Sequence, residues 1–570
     1  DTSPLGPTFV SIRSQMPSYW PDSLRRDVEE ALSDPAMGSA ASVARSLLGA
    51  YLFAWGVYVW ALPPAALWAL PAVGTLGLAV GARALARAWR DADAHEMIVG
   101  QLLVTGWCLG WLATIVTYTG GGWSGDWFEH WQRTRFFLER LPLDQKFLSQ
   151  YTLTARPPLA NVVTAAFLSL TRADFAHYQL YSTLLASLVF LPAALLARRF
   201  GRDARAIALC AALFLVSPLL GQNATFAWTK LPAAFFTLAA LYFFLRAQER
   251  GAPPAAALLG GASLAAGLLT HYSAGPYAVM LALGWIGLGW AQRHERDWQR
   301  ATGIAIAAGA AVLATWFGWA FTVYGWRETF YSNSSVIVSA YYQGGQLAKI
   351  ALNLRDTLVP HFLRSLDTAL IAQRSPWGRW SDWFFQCYQI NLPLACGSVA
   401  WLAIGWELHR ARRTAAAPDR IFWGAFVVGV TLLGVATHGA RDTWGLAHVS
   451  LQALVLLGLA LLAARWAGLG RAWRIALAVG ATVDLLFGIV LHGLVQSVAL
   501  DQWFAAARPP EDTLTSYNEV ALLNLNGKMV NHLAFFADGV TAPLALLLAL
   551  LAAILMLAVV RARPRGRRAR

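Results

Sequence analysis

The sequence predicts an all-α polytopic membrane protein, and three observations support this fold class. Of the 570 residues, 57% are hydrophobic and only 13% are charged, whereas soluble domains contain about 25% charged residues. The mean hydropathy is +0.46. The apolar residues gather into runs of about 20 residues, the length that a helix needs to cross the hydrocarbon core of a bilayer. These properties exclude an ordinary soluble domain.

About fourteen apolar runs are long enough to be predicted as transmembrane helices. They cover approximately 46–62, 64–82, 98–118, 178–197, 204–220, 229–246, 254–270, 274–291, 301–322, 388–407, 421–437, 447–464, 474–496 and 540–560. The apolar segment 158–171 is too short to cross. We therefore predict that it forms an interfacial or re-entrant helix within the first long outer loop.

The distribution of basic residues predicts the orientation of the chain. Alternate loops are rich in arginine, and short cytoplasmic loops of membrane proteins carry an excess of Lys and Arg. All the basic loops fall on one side if both termini are cytoplasmic and 158–171 does not cross. The net charge of +14 is then explained by topology, and nucleic acid is not a predicted partner.

This topology predicts a protein of the cytoplasmic (inner) membrane with six segments. They are a cytoplasmic N-terminal segment (1–45), a helical hairpin with a cytoplasmic loop (46–97), a transmembrane core (98–322) with its outer loop 119–177, an outer loop (323–387), C-terminal helices (388–560) with the outer loop 497–539, and a basic cytoplasmic tail (561–570). The long outer loops are rich in Trp, Tyr and Phe. Because long loops are usually functional or disordered, and this composition argues against disorder, we expect the chemistry on the outer face.

The first outer loop contains the clearest candidate for catalysis. In GGWSGDWFEHWQRTRFFLERL (121–141), apolar and charged residues recur at helical spacing, which predicts an interfacial amphipathic helix beginning near Asp126. A carboxylate at this position can act as a general base toward an acceptor hydroxyl. The alternative is a helix N-cap, a common role of aspartate. Glu129, His130 and Arg133 lie on the neighbouring helical face as candidate substrate-binding residues.

Further polar residues lie where predicted spans meet the outer side. Arg156 precedes two prolines in TARPPLANVV (154–163), at headgroup level, where a guanidinium can bind a phosphate through two hydrogen bonds. The alternative is contact with ordinary lipid headgroups. The other candidates for binding the donor phosphate are Lys230, His271 and Arg327. The remaining candidates for substrate binding are Tyr272, Tyr342, His361 and Arg364.

Taken in order, several of these segments resemble a known family. An early span precedes an outer loop with Asp126 and an amphipathic helix. Arg156 with its two prolines follows, then LLARRFGRDAR (195–205), SPLL (217–220) and LLTHYSAGPY (268–277). Over residues 98–290 the chain resembles the GT-C glycosyltransferases, in the branch of protein O-mannosyltransferases and lipid A aminoarabinose transferases. It departs from many members in having Trp127 after the aspartate, Arg156 in place of lysine, and two additional N-terminal spans.

The resemblance implies a GT-C-like fold and transfer of a sugar from a polyprenyl-phosphate donor to a glycan, lipid or protein acceptor outside the membrane. It implies that Asp126 is the catalytic acidic residue and that Arg156 lies near the donor phosphate. The sequence identifies no cofactor, and Asp126, Glu129, His130 and His271 could either hold a divalent metal ion or form only hydrogen bonds. Two alternatives are a transporter or flippase of a lipid-linked glycan, for which Asp484 would be the mid-span charge, and a non-catalytic membrane subunit.

Overall fold

The computed structural model of the protein describes most of the chain, and all structural statements below refer to this part. The described residues are 35–115, 117–120, 126–147, 151–201, 205–249, 252–333, 345–364, 376–414, 416–438, 445–499, 515–517, 520–525, 528–534 and 541–561. The first 34 residues of the predicted N-terminal segment and residues 562–570 of the predicted tail lie outside it.

The first half of the described chain is almost entirely helical. Its α-helices are α1 (Pro35–Val59), α2 (Ala69–Arg90), α3 (Ala92–Thr114), α4 (Asp126–Glu139), α5 (Leu159–Leu170), α6 (Phe175–Ser187), α7 (Phe190–Phe200), α8 (Ala206–Val216), α9 (Pro218–Thr225), α10 (Lys230–Ala247), α11 (Pro254–Thr270) and α12 (Gly275–Gly289). Short 3₁₀ turns lie at Pro64–Trp68, Leu153–Ala155, Tyr272–Ala274 and Trp290–Gln292. The predicted interfacial segment 158–171 forms α5, of 12 residues.

Helices also dominate the second half. They are α13 (Arg296–Tyr331), α14 (Gln346–Leu358), α15 (Pro376–Tyr388), α16 (Leu392–Ala395), α17 (Ala400–Thr414), α18 (Ala417–Ala436), α19 (Gln452–Arg465), α20 (Arg471–Val490), a π-helical continuation (Leu491–Ala499) and α21 (Thr541–Arg561), with 3₁₀ turns at His361–Leu363 and Trp466–Gly468. The α-helical fold class predicted from the sequence is confirmed.

The predicted count of about fourteen spans is not confirmed by the described part of the chain. By length and composition, eight of the described helices can cross a membrane, or nine if α8 and α9, bent by 69°, form one span. Several predicted spans, including 254–270 and 447–464, form apolar helices of only 10–17 residues, shorter than the roughly 20 residues that a crossing needs. The predicted span 388–407 is divided by α16 and by Gly397, whose φ is +115°.

A small antiparallel sheet joins two distant parts of the chain. Strand β1 (Thr117–Gly120) follows α3, while β2 (Thr515–Tyr517), β3 (Val520–Leu525) and β4 (Lys528–Ala534) precede α21. The strand order is β1-β4-β3-β2, and Thr117 pairs with Ala534. Because β1 directly precedes the residues that lead into α4, the sheet ties the predicted first and third outer loops together.

The N-terminal helix packs on the core beside the first outer loop. The Trp55 ring lies 5.6 Å from that of Trp316 and 6.1 Å from that of Phe137 on α4, centroid to centroid. The Tyr51 hydroxyl lies 3.0 Å from Thr315 Oγ1. Aromatic edge-to-face pairs add to the stabilisation from buried area, so α1 supports both α13 and α4.

Candidate active site

Helix α4 places an acidic and a basic side chain on its protein-facing side. It begins at Asp126, and Glu129 and Arg133 lie four residues apart, the spacing at which helical side chains meet. Their side chains are 0% and 1% exposed. A charge this deeply buried requires a partner of opposite charge and further hydrogen bonds, and both are present.

Glu129 receives hydrogen bonds from two arginines of different segments. Its Oε1 accepts from Arg133 Nε at 2.9 Å and Nη2 at 2.7 Å. Its Oε2 accepts from Arg156 Nε at 3.2 Å. One carboxylate therefore orients two guanidinium groups, and the charges of these three side chains sum to a net positive value.

Arg133 uses its remaining hydrogens to fix the 3₁₀ turn before α5. Its Nη1 donates to Leu153 O at 2.6 Å and its Nη2 to Thr152 O at 2.9 Å. The guanidinium carbon lies 4.4 Å from the centre of the Phe147 ring. Burial lowers the pKa of Arg133, and the adjacent Glu129 carboxylate opposes that shift. These contacts give Arg133 a positioning role.

Arg156 and His271 form the more accessible edge of this group. The Arg156 side chain is 14% exposed, and its Nη1 lies 3.5 Å from His271 Nε2. His271 Nδ1 accepts a hydrogen bond from Ser273 N at 3.1 Å, which fixes the ring at the turn between α11 and α12. The Tyr272 hydroxyl donates to Thr154 O at 3.4 Å. We call Glu129, Arg133, Arg156 and His271 the Glu129 cluster.

A second contact joins α4 to the start of α10. His130 is buried, and its Nε2 lies 3.3 Å from Thr229 Oγ1. The next residue, Lys230, is only 4% exposed, and its Nζ lies 3.8 Å from the centre of the Trp228 ring. A buried ammonium at a helix N-terminus adds to the partial positive charge of the helix dipole. This end of α10 therefore favours an anion beside the Glu129 cluster.

His361 and Arg364 belong to a separate buried group in the second half of the chain. Arg364 Nη1 lies 2.7 Å from Asp356 Oδ1, which also accepts from Arg355 Nη2 at 2.7 Å. Asp356 is completely buried. The His361 ring lies 5.6 Å from that of Trp383. The described contacts do not join this group directly to the Glu129 cluster.

The structure thus unites five of the predicted site residues: Glu129, Arg133, Arg156, His271 and Tyr272. His130 and Lys230 lie beside them, whereas Arg327 is exposed on α13 without a described contact to the cluster. Tyr342 and the side chain of Asp126 lie outside the described residues.

Sequence reasoning missed Trp228 and Asp356. Trp228 lies two residues before the candidate Lys230, but an aromatic residue at the end of a span is ordinary in membrane proteins. Asp356, the acidic residue of RDTLVPHFLRSL (355–366), gives no distinct signal in the sequence beside the arginines and histidine of that segment. Only the burial of Asp356 between two guanidinium groups distinguishes it.

The arrangement of the described side chains bears on whether the predicted residues can bind a metal ion. Among them, no group of three or more His, Cys, Asp or Glu residues is arranged to hold a metal ion. Both carboxylate oxygens of Glu129 face guanidinium groups. Because those cations repel a further positive charge, Glu129 is not a fitting metal ligand in this arrangement.

Comparison with known proteins gives one family match and several structural similarities. Residues 102–324 match the family model of dolichyl-phosphate-mannose-protein mannosyltransferases. No curated protein matches significantly. ArnT from Cupriavidus metallidurans bound to undecaprenyl phosphate is similar at 15% identity and a TM-score of 0.47, over 82% of this chain and 72% of that one. The Archaeoglobus fulgidus oligosaccharyltransferase in its apo form is similar at 16% identity and a TM-score of 0.41, over 72% and 58% of the two chains.

The family match coincides with the region that contains α4, the Glu129 cluster and the start of α10. Together with the apolar helices, it confirms the resemblance drawn from the sequence: the protein is a membrane glycosyltransferase of the GT-C superfamily. The particular family whose model it matches, over residues 102–324, is that of the dolichyl-phosphate-mannose-protein mannosyltransferases.

Proposed function

We propose that the protein transfers a sugar from a polyprenyl-phosphate donor to an acceptor on the outer face of the cytoplasmic membrane. The observation that supports this most directly is the Glu129 cluster, in which one buried carboxylate orients two guanidinium groups next to an imidazole. The matched family is named for a donor of this class, a dolichyl phosphate sugar. Both termini are cytoplasmic in this proposal, and the acceptor is a glycan, lipid or protein.

Arg156 and His271 bind the donor phosphate in this proposal. Arg156 is the most exposed guanidinium of the cluster, and its Nε bond to Glu129 fixes the plane of the group. Charge-assisted hydrogen bonds from a pre-oriented guanidinium stabilise the negative charge that develops on the leaving phosphate. Glu129 and Arg133 are too deeply buried for direct contact with the substrate in this arrangement, and they act by holding Arg156 and the turn before α5.

Asp126, at the start of α4, is the proposed general base. It accepts the proton of the acceptor hydroxyl while that oxygen attacks the anomeric carbon of the donor sugar. The bond from this carbon to the phosphate oxygen breaks, and polyprenyl phosphate leaves with the bonding electrons. A positioned base contributes about 10²–10⁴-fold to such a transfer.

The test compares Asp126→Asn with Asp144→Asn, a matched change at an exposed aspartate of the same loop. The full chain is reconstituted in liposomes with a radiolabelled polyprenyl-phosphate mannose and a cell-envelope extract. We expect Asp126→Asn to lose more than about 100-fold of the transfer rate with an unchanged melting temperature. Equal rates for the two variants would refute the assignment of Asp126.

The phosphate site is tested by donor binding. Arg156→Ala should weaken donor affinity, measured as the shift of melting temperature with donor concentration, because it removes a charge-assisted contact. Arg172→Ala is the control, since Arg172 is 63% exposed and its ion pair with Asp174 lies at the surface. If the two variants bind the donor equally well, Arg156 is not a phosphate ligand.

A further inference from the structure

A groove outside the Glu129 cluster lies between the N-terminal helices and the two helices α4 and α5. It is a shallow, open groove, and the space between its walls is about 410 Å³ when the solvent at its open side is included. Most of its wall is apolar and includes Ala54, Leu67, Phe137, Val162, Ala165 and Ala166. Three residues with polar side chains, Tyr58, Arg140 and Ser169, also line it. An apolar groove with a few polar groups is the usual form of a ligand site.

Arg140 occupies a strained position in this wall. Its φ is +54°, and Leu141 N donates to Phe136 O at 3.1 Å, the bond of a Schellman motif, in which this position usually belongs to glycine. An L-residue in the left-handed region costs about 1–2 kcal/mol. Because glycine at this position would avoid this cost, we expect the Arg140 guanidinium to have a function that compensates for it.

One nitrogen of the Arg140 guanidinium donates hydrogen bonds to the described protein. Its Nη2 donates to Leu62 O and, at 3.4 Å, to Val57 O at the end of α1. Within the described chain, Nη2 donates all the hydrogen bonds of the Arg140 guanidinium. Arg140 is exposed. Trp60 and Trp68, which are 75% and 60% exposed, lie in the same connection between α1 and α2. Exposed tryptophans of this kind mark the interfacial belt of a bilayer.

We infer that this groove binds one anionic phospholipid, with an acyl chain between α1 and α5 and the headgroup phosphate on Arg140. Charge complementarity selects the occupant, since Arg140 offers further N–H groups at headgroup level beside an apolar wall. None of the lining residues belongs to the Glu129 cluster, so the site is independent of the proposed reaction. It gives a specific use to the N-terminal helices, which precede the family-matched residues 102–324.

The experiment measures lipid binding to the full chain by native mass spectrometry. The detergent-purified protein is titrated with phosphatidylglycerol or phosphatidylcholine of identical acyl chains. The variants are Arg140→Gln, Arg140→Lys and Ser169→Phe, with Arg135→Gln as the control because Arg135 forms an exposed pair with Glu139 on α4. Melting temperatures are recorded for every variant to verify folding.

We expect the wild type to prefer phosphatidylglycerol. Arg140→Gln should lower that affinity about fivefold, the effect of one basic side chain on an anionic lipid, while Arg140→Lys and Arg135→Gln should retain most of it. Ser169→Phe should weaken binding of both lipids by filling the groove, and it disturbs little else because the described hydrogen bond of the Ser169 hydroxyl is to Ala166 O of its own helix. Equal phosphatidylglycerol binding by wild type, Arg140→Gln and Ser169→Phe would overturn the proposal. Displacement of the phospholipid by equimolar polyprenyl phosphate would also overturn it, by assigning the groove to the donor.

Discussion

Replacing Glu129 by glutamine tests whether the cluster depends on one buried charge. The carboxylate accepts three hydrogen bonds from two guanidinium groups, and Arg133 beside it is 1% exposed. Glutamine has nearly the same shape but leaves both guanidinium groups without their counter-charge. Breaking a buried ion pair by removing one partner costs about 3–5 kcal/mol. We expect Glu129→Gln to destabilise the local structure by this amount.

The assay is hydrogen exchange of the turn before α5, read by mass spectrometry. Arg133 donates to the carbonyls of Thr152 and Leu153, so loss of its partner should loosen residues 151–156. A local cost of 3–5 kcal/mol corresponds to at least about a hundredfold faster exchange. The control, Glu139→Gln, removes the partner of Arg135 from a pair that is 39% and 35% exposed, and such surface pairs contribute about 0–1 kcal/mol.

A double variant distinguishes the effect of losing the negative charge of Glu129 from the effect of changing the shape of its side chain. Glu129→Gln combined with Arg133→Met should be less destabilised than Glu129→Gln alone, because removing both partners leaves no unpaired buried charge at Arg133. The reasoning is refuted if Glu129→Gln exchanges as slowly as Glu139→Gln, or if the double variant exchanges faster than the single one.

Two further predictions concern the second half of the chain. Lys349→Met should destabilise the C-terminal end of α18 by about 1–2 kcal/mol, because the buried Lys349 donates to His438 O at 2.8 Å. Thermal unfolding measures this against Lys146→Met, a change at an exposed residue, and equal stabilities would contradict it. Asp484→Asn should leave transfer activity within about twofold, because an asparagine oxygen can still accept from Ser398 N, as Asp484 does at 3.0 and 3.1 Å. A clear loss of transfer activity in Asp484→Asn would contradict this prediction.

The sequence was most informative where a local pattern had one physical solution. Long apolar runs must form helices because the bilayer offers no partner for free backbone groups, and nearly all predicted spans lie on helices of the structure. The start of α4 near Asp126 and its helical spacing were predicted for the same kind of reason. The four-stranded sheet was not predicted, because its first strand pairs with a strand that lies more than 400 residues further along the chain.

The sequence by itself determined the membrane class of the protein and its helices, since these follow from composition and periodicity. It also offered most of the residues of the candidate site, from their places at the ends of predicted spans and from the family resemblance. Only the tertiary structure decided their arrangement. Glu129, Arg133, Arg156 and His271 were separate candidates along the chain, and folding placed them around one carboxylate while leaving Arg327 exposed outside it. The physical reason is that a buried charge is stabilised by partners from distant segments, and which segments meet is set by helix packing, which local sequence does not encode.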